Sequence, residues 1–337
     1  MRRSSLTLQF FRDAYPGRRR TRPVQLPQAI VRPPWGRRRD VVNWSPTVTA
    51  QRSRRLSNQE WLATFERVAL KVREVVGPLL GTQAGGAEIG TTGAGGDRTL
   101  EIDRHAENLV LSELRALAAG GQRFSVLSEE IGLIDLGAEY PRVVLDPVDG
   151  SPNAQRGLPV VGVMLSLLEG PTVSDVALGT TVDMTTGDRW SAIRGAGAFR
   201  DGRPLRPIRA GAANRIDVLG LHALPVDLPR AWPLLRSVAT FRQLYCMSLS
   251  LAYSAAGSID VFCSSRRARI FDLTAGLLMI REVGGIVTDL DGAPIHQLAV
   301  DLETRTTLLC SAYPGLHRLA LEHAQKPVGN TETLLDR

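Results

Sequence analysis

The segment Val143-Val144-Leu145-Asp146-Pro147-Val148-Asp149-Gly150-Ser151 joins an apolar run to two aspartates three residues apart. The apolar run predicts a buried strand, and Pro147 and Gly150 predict that the strand ends in a turn. Both carboxylates then lie at the carboxyl edge of a strand. The backbone N–H groups of Gly150 and Ser151 begin the next element, where they suit an anionic oxygen. The segment therefore predicts an acidic site beside an anion-binding turn.

Three further acidic residues stand where a predicted strand ends or a predicted helix begins. They are Asp103, Glu129 and Asp272. Taken singly, an acid at such a position is most simply a helix cap or a turn residue. If these three converge with Asp146 and Asp149, the buried carboxylates require a cation. Oxygen ligands favour Mg²⁺, with Mn²⁺ as the alternative, over zinc.

The hydrophobic pattern around these acids predicts a mixed α/β body. Ser57 and Glu60 have capping-box spacing, and an apolar face at helical spacing continues from Trp61 to Leu79. The glycine-rich stretch from Gly81 to Gly96 is predicted to be a long loop. Further helices are predicted over 103–118, 249–256, 273–283 and 316–324, and strands over 124–127, 142–145, 160–168, 176–182 and 285–290. Strand clusters between helices favour stacked layers of helix and sheet.

Charge divides the chain into two parts. Fourteen arginines and two acids give residues 1–56 a net charge of +12, whereas the whole chain carries +7, so the remainder carries −5. The first part is also rich in proline and lacks a sustained helical or strand period, which predicts a disordered Arg/Pro-rich leader. Besides a dispensable extension, it fits an export signal, an organellar transit peptide or a nucleic-acid-binding tail. The basic charge of the whole chain is no evidence that the body binds nucleic acid.

Composition excludes several classes of protein. No stretch approaches the roughly 18–20 unbroken apolar residues of a membrane helix, so we expect no membrane association. The three cysteines, Cys246, Cys263 and Cys310, are odd in number and lack metal-ligand spacing. They argue against a disulfide framework or a zinc site and favour a reducing compartment. We therefore expect a cytoplasmic protein.

Four ordered motifs resemble the inositol monophosphatase family of metal-dependent sugar phosphatases. The motifs are Gly93-Ala94-Gly95-Gly96-Asp97-Arg98-Thr99 with Ile102-Asp103, Ser128-Glu129-Glu130-Ile131-Gly132, Asp146-Pro147-Val148-Asp149-Gly150-Ser151-Pro152-Asn153, and Asp272-Leu273-Thr274-Ala275-Gly276 with Glu282-Val283-Gly284-Gly285. The first two are most similar to the archaeal-type branch, whose members often accept both inositol monophosphate and fructose 1,6-bisphosphate. The resemblance implies a layered αβαβα sandwich. We expect a catalytic domain over 57–325 and a flexible tail over 326–337.

The resemblance also implies a role for each residue of the acidic site. Glu129, Asp146 and the Val148 carbonyl would hold one Mg²⁺, while Asp146, Asp149 and Asp272 would hold a second. Asp103 and Glu129 would lie near a third. The catalytic residues implied are Asp103, Glu129 and Ser151, and the substrate-binding residues are Asp149, Gly150, Ser151, Ser248 and Arg269. Ser151 and Asp103 would orient the attacking water, and the N–H groups of Gly150 and Ser151 would receive phosphate oxygens.

Two departures from the family pattern leave the substrate open. The small, polar sugar-recognition segment of the family is replaced by the bulkier Tyr245-Cys246-Met247-Ser248. A substrate-contacting position that is often Glu in inositol phosphatases falls on Ser265. The arginines that follow it, Arg266, Arg267 and Arg269, fit either a second phosphate or a solvated loop.

The sequence as a whole predicts a Mg²⁺-dependent phosphatase that hydrolyses a small sugar, polyol or related phosphate monoester by attack of a metal-activated water. Inositol monophosphate and fructose 1,6-bisphosphate are favoured, and histidinol phosphate and a 3′-phosphonucleotide are alternatives. A carboxylate-pair glycosidase is disfavoured by the number of acids and the phosphate-suited turn. A non-catalytic regulatory protein that binds nucleic acid through the leader is the remaining alternative. The resemblance further implies a homodimer and inhibition by lithium.

Overall fold

The computed structural model describes residues 54–208 and 214–326. Most of the predicted leader and nearly all of the predicted tail lie outside the described residues. The helices are α1 (Asn58–Val76), α2 (Glu101–Ala119), α3 (Ser151–Arg156), α4 (Leu228–Leu235), α5 (Met247–Ala255), α6 (Thr274–Glu282) and α7 (Pro314–Ala324). The strands are β1 (Glu88–Thr92), β2 (Arg98–Leu100), β3 (Phe124–Ser128), β4 (Gly132–Asp149), β5 (Gly162–Leu168), β6 (Val176–Asp183), β7 (Arg189–Ile193), β8 (Gly197–Arg200), β9 (Arg203–Pro204), β10 (Ile216–His222), β11 (Val238–Arg242), β12 (Val261–Arg269), β13 (Ile286–Thr288) and β14 (Arg305–Ser311).

Two large sheets alternate with three layers of helices. The seven-stranded sheet has the order β3-β4-β5-β6-β7-β8-β9, and the five-stranded sheet has the order β11-β10-β12-β14-β13. Helices α1 and α2 cover the outer face of the seven-stranded sheet, α5 and α6 lie between the sheets, and α4 and α7 cover the five-stranded sheet. The predicted αβαβα sandwich is confirmed.

Each interface between layers has its own apolar core. Phe65 and Leu114 of the outer helices pack with Val143 and Leu165 of the seven-stranded sheet. Residues of α5 and α6 form the central core between the two sheets. A smaller core lies under α4 and α7. Burial of these apolar faces drives the layers together, since it removes their surface from water.

The first helix begins as the sequence predicts. Ser57 Oγ accepts the Glu60 N–H at 3.3 Å, and Glu60 Oε2 accepts the Ser57 N–H at 2.8 Å, which completes a capping box. Its apolar stripe, from Trp61 to Val76, is buried against the seven-stranded sheet. None of the described helices is both long and apolar enough to cross a bilayer.

Strand β4 carries the acidic segment at its carboxyl end, between β3 and β5 of the seven-stranded sheet. Its first part pairs with β3 in antiparallel register, with Leu127 opposite Leu133, and its second part returns on the other side of β3 in parallel register, with Leu127 opposite Val144. The carboxyl ends of β3 and of the second part of β4 therefore meet. Ser128-Glu129 and the segment from Asp146 to Asp149 thus lie side by side.

The predicted long loop between Gly81 and Gly96 is wrong in part, because Glu88–Thr92 forms strand β1 and pairs with β2. An ion pair between Arg98 Nη1 and Glu88 Oε1, 2.9 Å apart, joins the two strands. A high density of glycine predicts that the chain reverses direction. A short β-hairpin does the same, so the glycines did not exclude one. Strands β7 to β12 and β14 were also missed. Gly or charged residues interrupt the apolar runs of β10 and β12, and β9 has only two residues.

Candidate active site

A cavity of about 590 Å³ opens where the carboxyl ends of β3, β4 and β12 meet the start of α2, α3 and α5. Most of the site residues predicted from the sequence line this cavity. They include Glu129, Asp146, Asp149, Ser151, Arg269 and Asp272. Residues distant in sequence thus converge on one cavity, which the isolated motifs could not establish.

Asp103 and Ser151 form the first pair of the site. Helix α2 begins two residues before Asp103, whose Oδ2 accepts the Leu100 N–H at 2.8 Å. Its other oxygen, Oδ1, accepts the Ser151 hydroxyl at 2.8 Å, and that hydroxyl also lies 2.9 Å from the Val148 carbonyl oxygen. Burial raises the pKa of Asp103 to about 7. Asp103 therefore both caps a helix and orients a hydroxyl in the cavity.

Asp149 is fixed by the amino end of α5. Its Oδ1 accepts the Met247 N–H at 3.0 Å, and its Oδ2 accepts the Ser248 N–H at 2.5 Å. The Cys246 thiol donates to the same Oδ2 with a sulfur–oxygen distance of 3.1 Å. A helix amino terminus stabilises a carboxylate in this way. The connection fixes the turn after β4 to the second half of the chain.

The turn at Gly150 needs a glycine. Its φ of 95° lies in the left-handed region, and a Cβ there would stand 3.0 Å from the Val160 carbonyl oxygen and 3.3 Å from the Tyr245 carbonyl oxygen. A side chain would have to displace backbone on both sides. Asn153 holds the facing loop, since its Nδ2 donates to the Leu244 carbonyl at 2.7 Å. The close approach of backbone explains the Asp-Gly-Ser pattern.

Arg269 reaches from the end of β12 into the acidic cluster. Its Nη2 lies 2.5 Å from Glu129 Oε1, its Nε lies 2.8 Å from Asp272 Oδ2 and its Nη1 lies 3.1 Å from Asp97 Oδ2. The Arg269 side chain is 14% exposed. Burial lowers the pKa of Arg269, but the charges of Asp272 and Glu129 outweigh burial and raise it, so the guanidinium stays charged. Arg269 lies among the acids and lines the cavity, and its role as a substrate contact stays a prediction.

The Gly93–Gly96 loop closes over this ion cluster. Gly95 donates its N–H to the Glu129 carbonyl at 2.7 Å, and its carbonyl accepts from Arg269 Nη1 at 3.1 Å. A Cβ on Gly95 would stand 2.5 Å from Arg269 Nη1 and 2.9 Å from Glu129 Cγ. The glycine motif therefore allows backbone to approach the cluster closely.

Burial raises the pKa values of three carboxylates of the cluster, Glu129, Asp146 and Asp272. The pKa of Glu129 rises to about 8 and that of Asp272 to about 6, because loss of solvent outweighs the opposing effect of Arg269. Asp146 has a pKa well above its usual range, through burial and then the charges of Glu129 and Asp149. The positive charge of the Arg269 guanidinium therefore offsets the cost of burying these carboxylates only in part.

The donor set fits a hard divalent cation. Asp272 Oδ1 is buried and has no hydrogen-bond partner in the described residues. The side-chain donors are all carboxylate oxygens, the ligand type of Mg²⁺ and Mn²⁺. Within the described residues no three acidic, His or Cys side chains are grouped closely enough to hold a metal as they stand. Two of the acids, Glu129 and Asp272, instead bind the Arg269 guanidinium, which supplies positive charge at this place.

Not every predicted residue faces the cavity. Ser248 is 1% exposed and acts through its backbone N–H on Asp149, so its role as a substrate contact stays a prediction. Glu130, by contrast, lines the cavity, and its carboxylate accepts from the Thr99 hydroxyl. The hydrogen bond of the Cys246 thiol to Asp149 and the ion pair of Asp97 with Arg269 were missed, because each joins residues far apart in sequence. In the sequence, the charge of Arg269 was the signal that could have indicated its ion pair with Asp97.

The chain is similar to known phosphatases over almost all its described length. The sequence profile of the inositol monophosphatase family matches residues 57–328. A fructose-1,6-bisphosphatase/inositol-1-monophosphatase of Methanothermobacter thermautotrophicus is 32% identical over 273 residues, which cover 78% of this chain and 95% of that protein. A protein of the same name from Thermococcus kodakarensis is 31% identical and covers 78% and 96%.

Solved structures share the fold. An inositol monophosphatase of Thermotoga maritima superposes with a TM-score of 0.65 at 22% identity, covering 78% of this chain and 96% of that one. A Pyrococcus horikoshii protein with similarities to inositol-1 monophosphatase gives 0.66 at 24% identity and covers 80% and 100%. The predicted family and enzyme class, a phosphoric monoester hydrolase, are confirmed. Metal dependence is general in this family. The chain belongs to the inositol monophosphatase family of sugar-phosphate monoester phosphatases.

Proposed function

We propose that the chain is a Mg²⁺-dependent phosphatase of small sugar and polyol phosphates, with inositol monophosphate and fructose 1,6-bisphosphate as the favoured substrates. Mn²⁺ is the alternative ion. The observation that carries the proposal is the Asp103–Ser151 hydrogen bond of 2.8 Å, because Ser151 lines the same cavity as Glu129 and Asp146 while Asp103 lies behind it. The names of the two archaeal relatives, each a fructose-1,6-bisphosphatase/inositol-1-monophosphatase, support the choice of substrates.

The chain's own residues divide the work between binding and proton transfer. The Ser151 hydroxyl donates a hydrogen bond to Asp103. The hydroxyl oxygen is therefore free to accept a hydrogen bond from a water. Asp103, with its pKa near 7, suits the receipt of a proton at neutral pH through Ser151. Glu129 assists as the third catalytic residue. Together they orient the attacking water.

The predicted metal ligands are Asp103, Glu129, Asp146, the Val148 carbonyl, Asp149 and Asp272. A divalent cation held there supplies positive charge for the phosphate and its leaving oxygen, and makes a water more acidic. The N–H groups of Gly150 and Ser151 bind phosphate oxygens, and Asp149 binds the substrate beside them. Phosphoryl transfer depends mainly on such positioning and charge stabilisation.

A substrate screen tests the proposal. Phosphate release from inositol 1-phosphate, fructose 1,6-bisphosphate, histidinol phosphate and a 3′-phosphonucleotide is measured with Mg²⁺, with and without lithium. We expect the first two to give the highest kcat/KM, with inhibition by lithium. Preference for either of the other two would change the substrate, and release from none of them would contradict the proposed function.

Three parts of the proposal concern the protein outside its cavity. The three cysteines are free and buried, which supports a cytoplasmic location. Homodimerisation rests on the family resemblance and is tested by light scattering. Any contact with nucleic acid is assigned to the leader, 1–56. A chain that starts at Arg54 should keep full phosphatase activity but lose any salt-sensitive RNA or DNA binding.

A further inference from the structure

A histidine that the proposed reaction does not use lines the cavity. His222 ends strand β10, in which Leu219 and Leu221 belong to the apolar core under α4 and α7. Because side chains alternate along a strand, His222 lies on the opposite face, and it lines the cavity together with Asp149 and Gly150. Of the five histidines, all of which lie within the described residues, His222 alone lines it.

The imidazole of His222 is held through its Nδ1 atom. His222 pairs with Ser264 of β12 in parallel register, and Nδ1 lies 2.8 Å from Ser264 Oγ. Ser264 Oγ also donates to the Arg266 carbonyl at 2.7 Å. A hydroxyl has one proton and a carbonyl can only accept, so that proton belongs to the bond with Arg266. Ser264 Oγ therefore accepts the other hydrogen bond, and Nδ1 carries the proton that is donated.

A neutral imidazole with its proton on Nδ1 has a lone pair on Nε2. Burial and then the Arg266 charge lower the pKa of His222, although the charges of Asp149 and Asp227 oppose this shift, so the ring is neutral at neutral pH. Nε2 has no hydrogen-bond partner in the described part of the chain, and it is not among the fully buried polar atoms there that lack one. The lone pair is therefore open to the cavity.

The end of β10 is joined to the turn that is proposed to bind the phosphate. The carbonyl of Ala223, the residue after His222, accepts from Gln243 Nε2 at 2.9 Å and lies 3.4 Å from the Tyr245 hydroxyl. Tyr245 in turn lies against that turn, since a Cβ on Gly150 would stand 3.3 Å from the Tyr245 carbonyl oxygen. The Nε2 acceptor and the phosphate turn thus belong to one connected part of the cavity wall.

We propose that His222 Nε2 accepts a hydrogen bond from a hydroxyl of the leaving group, which makes His222 a specificity-determining residue for sugar and polyol esters. The inference rests on the proposed function and deepens it, since it concerns the alcohol and not the phosphate. Phosphate oxygens are acceptors like Nε2, so the partner of Nε2 must be a donor. The Arg266 charge beside the ring disfavours an ammonium donor, and a neutral hydroxyl fits. A site that binds a substrate hydroxyl in this way discriminates against analogues that lack it.

The kinetic test compares esters that differ in their hydroxyls. Values of kcat/KM are measured for inositol 1-phosphate and cyclohexyl phosphate, which share a six-membered ring, and for glycerol 2-phosphate and isopropyl phosphate, which share a branched chain. We expect His222→Phe, which keeps a flat ring without an acceptor, to lower kcat/KM for the hydroxylated esters by about 2–10-fold, as for loss of one neutral hydrogen bond. The hydroxyl-free esters should be unaffected. His222→Gln, whose amide oxygen can replace Nε2, should recover part of the loss, and His296→Phe, at an exposed position outside the cavity, should match the wild type.

Two further measurements do not depend on turnover of these esters. Their inhibition constants against p-nitrophenyl phosphate report binding even where hydrolysis is slow. Nitrogen-15 NMR of the histidine rings at neutral pH, with the His222 signals assigned by their loss in His222→Phe, shows which nitrogen carries the proton, and we expect Nδ1. A proton on Nε2, equal effects of His222→Phe on hydroxylated and hydroxyl-free esters, or no effect on either, would overturn the role of His222. Failure of the wild type to release phosphate from any ester, p-nitrophenyl phosphate included, would instead overturn the proposed function.

Discussion

Arg269 and Glu129 come from different sheets and form an ion pair with 2.5 Å between Nη2 and Oε1, in which both side chains are largely buried. Glu129 follows β3 of the seven-stranded sheet, whereas Arg269 ends β12 of the five-stranded sheet. The ion pair therefore joins the two sheets across the central helical layer, at the wall of the cavity. It also makes Arg269 an internal positive charge among residues predicted to bind a metal.

Replacing Arg269 should make the protein depend more strongly on metal. In the Arg269→Gln variant, Glu129 and Asp272 lose their partner, and removing one member of a buried pair costs about 3–5 kcal/mol. The melting temperature in EDTA should fall, and the rise on adding Mg²⁺ should exceed that of the wild type. Thermal denaturation with and without Mg²⁺ measures both. An identical Mg²⁺-induced shift in wild type and variant would show that Arg269 does not substitute for the cation.

The metal-free protein should lose stability as the pH rises. Asp103, Glu129 and Asp272 have folded pKa values of about 7, 8 and 6, above their unfolded values of about 4. Groups with raised pKa values favour the fold below the unfolded pKa, and this contribution is lost as the pH passes the folded values. The melting temperature in EDTA should therefore fall between pH 5 and 8.5.

Saturating Mg²⁺ should flatten that decline, because metal binding favours the ionised carboxylates and strengthens as they deprotonate. The Asp103→Asn variant, which removes one of the titrating groups, should show a shallower decline in EDTA than the wild type. A melting temperature that rises over the same range in EDTA would contradict the assigned pKa directions.

The Ser151 hydroxyl should matter for turnover more than for binding. Ser151→Ala removes the group that links Asp103 to the attacking water, and loss of such proton-transfer assistance lowers rates by about 10²–10⁴-fold. Steady-state kinetics should show the fall in kcat with KM nearly unchanged, because the proposed phosphate contacts are backbone N–H groups, which the substitution keeps. Ser151→Thr keeps a hydroxyl and should recover part of the activity. Loss confined to KM would assign Ser151 to binding alone.

The capping box of α1 should contribute to stability but not to catalysis. Ser57→Ala removes the acceptor for the Glu60 N–H, and loss of such a cap costs about 0.5–2 kcal/mol. Urea denaturation in Mg²⁺ measures the difference, while kcat/KM should match the wild type because α1 lies outside the cavity. A full-stability Ser57→Ala variant would show that packing of Trp61 and Phe65 alone determines where α1 begins.

Local pattern predicts those parts of the site that are contiguous in sequence. Asp146, Asp149 and Gly150 follow one apolar run, and alternation and turn chemistry are enough to place them at the end of a strand. The cap at Ser57 is equally local. The layered fold was predicted through family resemblance, since periodicity gives the elements but not their order in a sheet.

The remaining parts depend on contacts that join distant segments. Asp149 is fixed by the backbone of Met247 and Ser248, and no local pattern indicates that α5 will begin beside it. Arg269 resembles a surface arginine in sequence, and only the convergence of β3 and β12 makes it a buried partner of Glu129. Long-range pairing of this kind is specified by the packing of the layers as a whole.

The central claim, metal-dependent phosphate release by the carboxylate cluster, is tested most directly by assaying Asp146→Asn beside the wild type with Mg²⁺ and with EDTA. Glu322→Gln, an exposed acid of α7 outside the cavity, is the matched control. We expect release of phosphate by the wild type and the control only when Mg²⁺ is present, and loss of release in Asp146→Asn although the variant stays folded. Undiminished release by Asp146→Asn, or by the wild type in EDTA, would contradict it.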